Sequence, residues 1–418
     1  MARLLIEGST SLNGTISVSG AKNAALKMMA AALLTDKTVV LRNVPDISDI
    51  HTMQSILESL GATIDFTDHV MTISAREVRG AEPDIQLVKH LRGSVVIIGP
   101  LLARFKNVRI PQPGGCLIGS RPIDTHIRGL EQLGVSVEQK DELYTFSVKQ
   151  LRGTRVVLPE MSVTATENVL MAAVCAEGTT EIRLAASEPE IEDLAVMLNA
   201  MGARIEGAGT SVITVHGVSS LLGVDHTVLP DRIEAGTLAV AAAVSRGDVT
   251  ITHCNTTHLD LVLQKLAAAN VSFEIKGTDT LHIKPTTMFR AVNIDTRPYP
   301  GFPTDLQAPF SVLLTQATGT STIFETLFEG RLGYIRELCK MGASMTIRDP
   351  HTAVIQGPSP LYGKEITSLD LRAGATLVIA AIIAQGKSVI ERAELIDRGY
   401  ERLADRLCAL GAHIKKID

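Results

Sequence analysis

The chain has few aromatic residues and no tryptophan: Phe, Tyr and Trp together are 3% of its 418 residues. That argues against the aromatic platforms on which single-stranded nucleic acid stacks. It also leaves the core to Ala, Val, Ile and Leu. A large excess of charge is missing too. The net charge of −5 gives no basic field for nucleic acid or an anionic membrane. An anionic substrate must then be held by a local cluster of Lys and Arg. The five cysteines, Cys116, Cys175, Cys254, Cys339 and Cys408, are scattered and odd in number. They form neither a disulfide framework nor a zinc pattern, so a reduced, cytoplasmic protein is expected. The N-terminus has no signal-peptide core, and no apolar run reaches the roughly 18 residues that cross a bilayer.

What is present is a repeat. At 418 residues, 45% of them hydrophobic and 20% charged, the chain is globular and too long for one ordinary core, which predicts two domains. An apolar-Gly-Ala pattern, or a near variant, is centred on Gly61, Gly134, Gly202, Asn270, Gly342 and Gly411, at spacings of 68 to 73 residues. Gly and Asn both suit a left-handed helix end. A helix apolar on most faces recurs with the same period, at 24–34, 95–102, 169–176, 235–244, 310–315 and 375–384. A short strand follows each, then an amphipathic helix ending at the Gly pattern, then further strands. Helices apolar all round are buried, and a helical crossover joins parallel strands. The unit of about 70 residues is thus of βαβαββ type. Six units divide into two domains of three: 20–229, and a discontinuous domain of 1–19 with 230–418, the leading strands completing the last unit.

Polar residues fall at the starts of the apolar helices: Lys22, Arg92, Thr166, Arg232, Asp305 and Arg372. Helix starts present unpaired N–H groups and a positive dipole end. Capping accounts for Thr166 and Asp305, but cations are disfavoured there. Lys22, Arg92 and Arg372 therefore read as binding residues for an anion in a cleft between the domains. Counting thirteen residues back from the Gly markers puts Arg121 and Arg398 at equivalent places in the second and sixth units, with Arg331 two residues past that place in the fifth. Arginine forks suit phosphate or carboxylate. The second unit is longer than the others by about seven residues, and the excess is the stretch around Cys116. A Gly-rich insertion flanked by proline reads as a lid, and a nearby cation would favour the thiolate of Cys116.

Several motifs carry a resemblance. They are Gly20-Ala-Lys-Asn-Ala-Ala25, Pro113-Gly-Gly-Cys-Leu-Ile-Gly-Ser-Arg-Pro-Ile-Asp124, Asp231-Arg-Ile-Glu234, Phe302-Pro-Thr-Asp305, Asp370-Leu-Arg372 and Ile396-Asp-Arg-Gly-Tyr-Glu-Arg402. Together they make the chain resemble, over essentially its whole length, the UDP-N-acetylglucosamine 1-carboxyvinyltransferase family of enolpyruvyl transferases. The resemblance implies a two-domain inside-out α/β barrel. It implies transfer of the enolpyruvyl group of phosphoenolpyruvate to the 3′-hydroxyl of UDP-N-acetylglucosamine, with loss of phosphate, in peptidoglycan precursor synthesis, and sensitivity to fosfomycin. By that analogy Cys116 is the general acid at the methylene carbon and Asp305 the base near the sugar hydroxyl. Lys22, Arg121 and Arg398 hold the phosphate of phosphoenolpyruvate, and Asn23 contacts substrate. Arg331, Asp370 and Arg372 complete the polar cleft. Arg92, Arg121, Pro122, Ile123, Asp124, Thr125, Ser162, Val163, Asp305 and Leu327 line the nucleotide-sugar site. No cofactor and no metal are implied, and the chain is expected to be a monomer or weak oligomer. Ser48, Glu160, Thr164, Ser187 and Gly330 depart from the family pattern, and losing cations there should weaken nucleotide-phosphate binding. The alternatives are a 5-enolpyruvylshikimate-3-phosphate synthase-like transferase and a catalytically silent UDP-sugar-binding paralogue.

Overall fold

The computed structural model describes residues 2–114 and 122–417. These residues form two compact units, one of 20–114 with 122–229 and the other of 2–19 with 230–417. The architecture is mixed α/β, with six small sheets among the described residues.

One pairing scheme recurs. The strand after a buried helix lies antiparallel to the return strand of a hairpin: Thr38–Arg42 on Val70–Ser74, Asn107–Pro111 on Leu143–Ser147, and Thr179–Arg183 on Val212–His216. Asp248–Thr252 on Thr280–Ile283 and Ala317–Phe324 on Thr352–Gly357 do the same in the other unit. The strand that opens the hairpin, Thr63–Thr67 in the first sheet, is also antiparallel to the return strand. The strands before and after the helical crossover therefore run in the same direction, as the crossover requires. They are not neighbours, however, because the return strand occupies the slot between them. In the last sheet that slot is filled from the far end of the chain. Arg3–Glu7 pairs antiparallel with both Lys387–Glu391 and His413–Ile417. Asn13–Ser17 likewise runs parallel to Asp248–Thr252.

The strands that follow the buried helices alternate over their central residues. Val39 and Leu41 are buried between exposed Thr38 and Arg42, so one face of the sheet is covered and the other meets water. The covered faces enclose helices. Lys22–Ala31, Ile98–Phe105 and Val163–Ala173 lie in one core, and Arg232–Val244, Thr304–Thr315 and Leu371–Ile383 in the other. All 13 residues of Arg232–Val244 are buried, so this helix has no solvent face. In the 230–417 unit Thr304–Thr315 packs on both of its partner helices.

The second helices end as their sequences predict. Gly61, Gly134, Gly202, Gly342 and Gly411 have φ between 93 and 106°, and Asn270 has φ of 66°. All six sit in the left-handed region, where Gly carries no Cβ penalty and Asn is the next most tolerant residue. No helix among the described residues is long and apolar enough to cross a membrane.

Candidate functional site

In the 2–19 and 230–417 unit the sequence-predicted residues converge on Asp305, the second residue of helix Thr304–Thr315. Its two carboxylate oxygens accept from different arginines. Arg331 Nη2 donates to Oδ1 at 2.7 Å and Arg372 Nε to Oδ2 at 3.0 Å. Burial opposes the charge on Asp305, but the Arg331 and Arg372 guanidiniums outweigh it and hold the carboxyl far below the usual carboxylate range. Arg372 is the second residue of helix Leu371–Ile383, and Asp370 caps that helix by accepting from the Arg372 and Ala373 amides at 2.8 and 3.0 Å. The Arg372 guanidinium also lies over the buried Tyr400 ring, 5.0 Å from its centroid. The Tyr400 hydroxyl is 3.0 Å from Thr237 Oγ1. Arg398 closes the short helical segment Ala393–Arg398 and is half-buried.

Leu327, 39% exposed, is placed by a residue the sequence reading missed. Glu325 is fully buried, and its carboxylate accepts four hydrogen bonds. Oε1 takes Thr296 Oγ1 at 3.0 Å, the Leu327 amide at 2.9 Å and the Phe328 amide at 3.3 Å, while Oε2 takes Thr304 Oγ1 at 2.6 Å. One side chain thus ties the loop that leads to Arg331 to the start of the helix that carries Asp305. No periodicity marks it. The only signal was an acidic residue directly after a strand and among threonines.

In the 20–229 unit Lys22 opens helix Lys22–Ala31 and forms a 2.5 Å ion pair with buried Asp49. Asn23 follows it. Arg92, expected to bind the nucleotide sugar, donates to two backbone carbonyls, Pro113 O at 2.9 Å and Pro122 O at 3.2 Å. These carbonyls flank 115–121, so the predicted lid residue Cys116 and the predicted phosphate ligand Arg121 lie outside the described residues. Beyond them Ile123 is buried and Asp124 starts helix Asp124–Gln132. Thr125 Oγ1 donates to Glu160 Oε1 at 2.9 Å, so the glutamate that departs from the family pattern has a partner within its own unit. Thr164 also has a role here. Its hydroxyl is 3.1 Å from Nε2 of buried His126, whose Nδ1 faces the Asn168 amide at 2.8 Å. Ser162 caps the helix that begins at Val163, accepting from the Ala165 amide. Gly330 precedes the short helical segment Arg331–Tyr334. Among the described residues no group of three or more His, Cys, Asp or Glu is placed to hold a metal ion.

The chain matches the family model described as EPSP synthase (3-phosphoshikimate 1-carboxyvinyltransferase) over residues 6–407. It is 43% identical to the UDP-N-acetylglucosamine 1-carboxyvinyltransferase of Acidobacterium capsulatum, over all of this chain and 96% of that protein. It is 45% identical to the protein of the same name from Myxococcus xanthus, over all of this chain and 99% of that one. Among solved structures it is similar to the enolpyruvyl transferase NikO from Streptomyces tendae, with a TM-score of 0.90 and 25% identity over 99% of each chain. An EPSP synthase from Acinetobacter baumannii shares the fold, with a TM-score of 0.77 at 18% identity over both full lengths.

Proposed function

The chain belongs to the enolpyruvyl transferase family, and from that premise we infer that it moves the enolpyruvyl group of phosphoenolpyruvate to the 3′-hydroxyl of UDP-N-acetylglucosamine and releases phosphate. The observation that carries this reading is the Asp305 carboxylate held between Arg331 and Arg372, in a chain whose full-length relatives bear that activity in their names. We read the six sheets as six copies of one βαβαββ unit, three per domain, in an inside-out α/β barrel. The six left-handed helix ends support that reading.

The reaction is an addition followed by an elimination. A proton joins the methylene carbon of phosphoenolpyruvate while the sugar oxygen bonds to its C2, giving a tetrahedral ketal. The C2–O bond to phosphate then breaks, a proton leaves the new methyl group, and the enol ether forms. In our assignment Cys116 supplies the first proton and Asp305 takes the proton of the hydroxyl. Lys22, Arg121 and Arg398 hold the phosphate, with Asn23 beside them. Arg331 and Arg372 keep Asp305 ionised, so it is ready to accept a proton, but they also weaken it as a base. An anionic substrate that draws a guanidinium away from Asp305 raises its basicity at the moment of use. Arg92, Pro122, Ile123, Asp124, Thr125, Ser162, Val163 and Leu327 are assigned to the nucleotide sugar. We take the reaction to run in the cytoplasm, with the chain a monomer or weak oligomer.

The test is phosphate release. The purified chain releases phosphate when phosphoenolpyruvate and UDP-N-acetylglucosamine are both present, and not with either alone. No release across a wide range of both substrates refutes the reading.

A further inference from the structure

Helix Lys22–Ala31 and its short continuation hold one charged residue beyond the first turn, Lys27. From Ala24 to Leu34 every other residue is apolar and all of them are buried. Lys27 itself is only 3% exposed. A buried ammonium loses its hydration, and an apolar side chain of similar length would avoid that loss. The structure indicates what the ammonium does instead. Nζ donates to the Asn23 carbonyl at 2.8 Å and lies 3.4 Å from Glu167 Oε2. In a helix that carbonyl is also the acceptor for the amide of residue 27, and an amide oxygen has room for both donors.

Two further observations point the same way. The helix has no side-chain cap, since its N-cap position is Ala21, whereas Ser162, Asp231 and Asp370 cap three of the other buried helices. Its first turn, which carries Lys22 and Asn23, therefore lacks the usual anchor. Glu167 is fully buried on helix Val163–Ala173, and neither of its carboxylate oxygens makes a hydrogen bond. Packing alone does not require a carboxyl in that place. Burial, opposed by Lys27 and aided by Glu190 and Glu188, pushes Glu167 up to about 8. On the neighbouring helix Ser48–Ser59, Asp49 faces Lys22.

We propose that Lys27, steered by Glu167, is a positioning residue that fixes the Asn23 carbonyl and with it the first turn bearing Lys22 and Asn23. The catalytic consequence rests on the reading that Lys22 and Asn23 grip phosphoenolpyruvate. Lys27 touches no substrate and acts only through the turn above it.

The test uses the full chain with Lys27→Met, Glu167→Gln and the double variant Lys27→Met/Glu167→Leu. The double variant removes the ammonium and the carboxyl together and keeps the test open if Lys27→Met does not fold. Amide exchange over residues 22–26 is followed by mass spectrometry, and KM for each substrate is measured with kcat. The folded Lys27→Met or double variant should exchange those amides about tenfold faster. KM for phosphoenolpyruvate should rise about tenfold, with KM for UDP-N-acetylglucosamine within twofold of the unmodified chain. Glu167→Gln should fall between. Unchanged exchange in a folded variant overturns the positioning role. Faster exchange with an unchanged KM for phosphoenolpyruvate overturns its link to catalysis. If the unmodified chain releases no phosphate, the functional reading fails by itself, and the exchange measurement still decides what Lys27 does.

Discussion

Replacing Glu325 separates the effect of its charge from the effect of its acceptor atoms. In Glu325→Ala the Leu327 and Phe328 amides lose their acceptor, as do the Thr296 and Thr304 hydroxyls. The hydroxyls rotate toward other acceptors, whereas the amides are fixed by the backbone. A fully buried donor left without a partner costs about 1–3 kcal/mol. These two amides are only part-buried, so together they place the local cost at about 2–3 kcal/mol, within the ordinary range for single substitutions. Glu325→Gln is different. Its amide oxygen can serve the three donors now on Oε1, and its NH2 group can donate to the Thr304 hydroxyl, which turns to accept. The expected cost is about 1 kcal/mol, that of an ordinary hydrogen bond. The assay is amide exchange at Leu327 and Phe328, which reads the local opening directly. At about 1.4 kcal/mol per factor of ten, the alanine variant should exchange these amides more than about thirtyfold faster. The glutamine variant should stay below about tenfold. Phosphate release should follow the same order, because Leu327 and Arg331 ride on this loop. Equal exchange in the two variants, or less than about a threefold rise in the alanine variant, would refute the argument.

Acid unfolding should begin at higher pH in Arg331→Met. The folded carboxyl of Asp305 lies below its unfolded value of about 3.9, so its contribution to stability is present above that value and is lost only as pH falls through the folded one. With one guanidinium gone the loss starts earlier, and circular dichroism during an acid titration should show it. An unchanged midpoint would contradict the pairing. Alkylation should also sort the thiols: burial, with Asp279 nearby, pushes Cys254 up to about 12, while Cys339 is exposed. Iodoacetamide at pH 8 should mark Cys339 within minutes and Cys254 only after unfolding. Peptide mapping that finds both labelled equally in the folded chain would disprove the burial argument.

The buried helices and their partners' ends were legible in the sequence, because burial on all sides and a left-handed φ each demand particular residue types. Asn270 could be aligned with five glycines for that reason. The slot of the return strand was harder to see. In the first sheet the hairpin turns at Asp68 and His69, both with positive φ, and neither is the glycine that usually announces such a turn. Charge partners were least legible. Asp305 meets arginines 26 and 67 residues away, and Arg92 serves carbonyls, which carry no side-chain signature at all. Lys27 was in plain view as a lone charge in an apolar stretch, but only its contact with the Asn23 carbonyl gives it a role.

The strands at Arg3–Glu7 and Asn13–Ser17 are made long before the strands they pair with. Residues 20–229 contain every strand of their three sheets, so that unit can close while synthesis continues. Residues 3–7 must wait for 387–391 and 413–417, which are made only after the whole of 20–229. Domains tend to fold as they emerge, but here the unit that contains residues 3–17 cannot be the first to finish. When it does finish, Arg3 lies opposite Ile417, and completing the last sheet joins segments separated by nearly the whole length of both units.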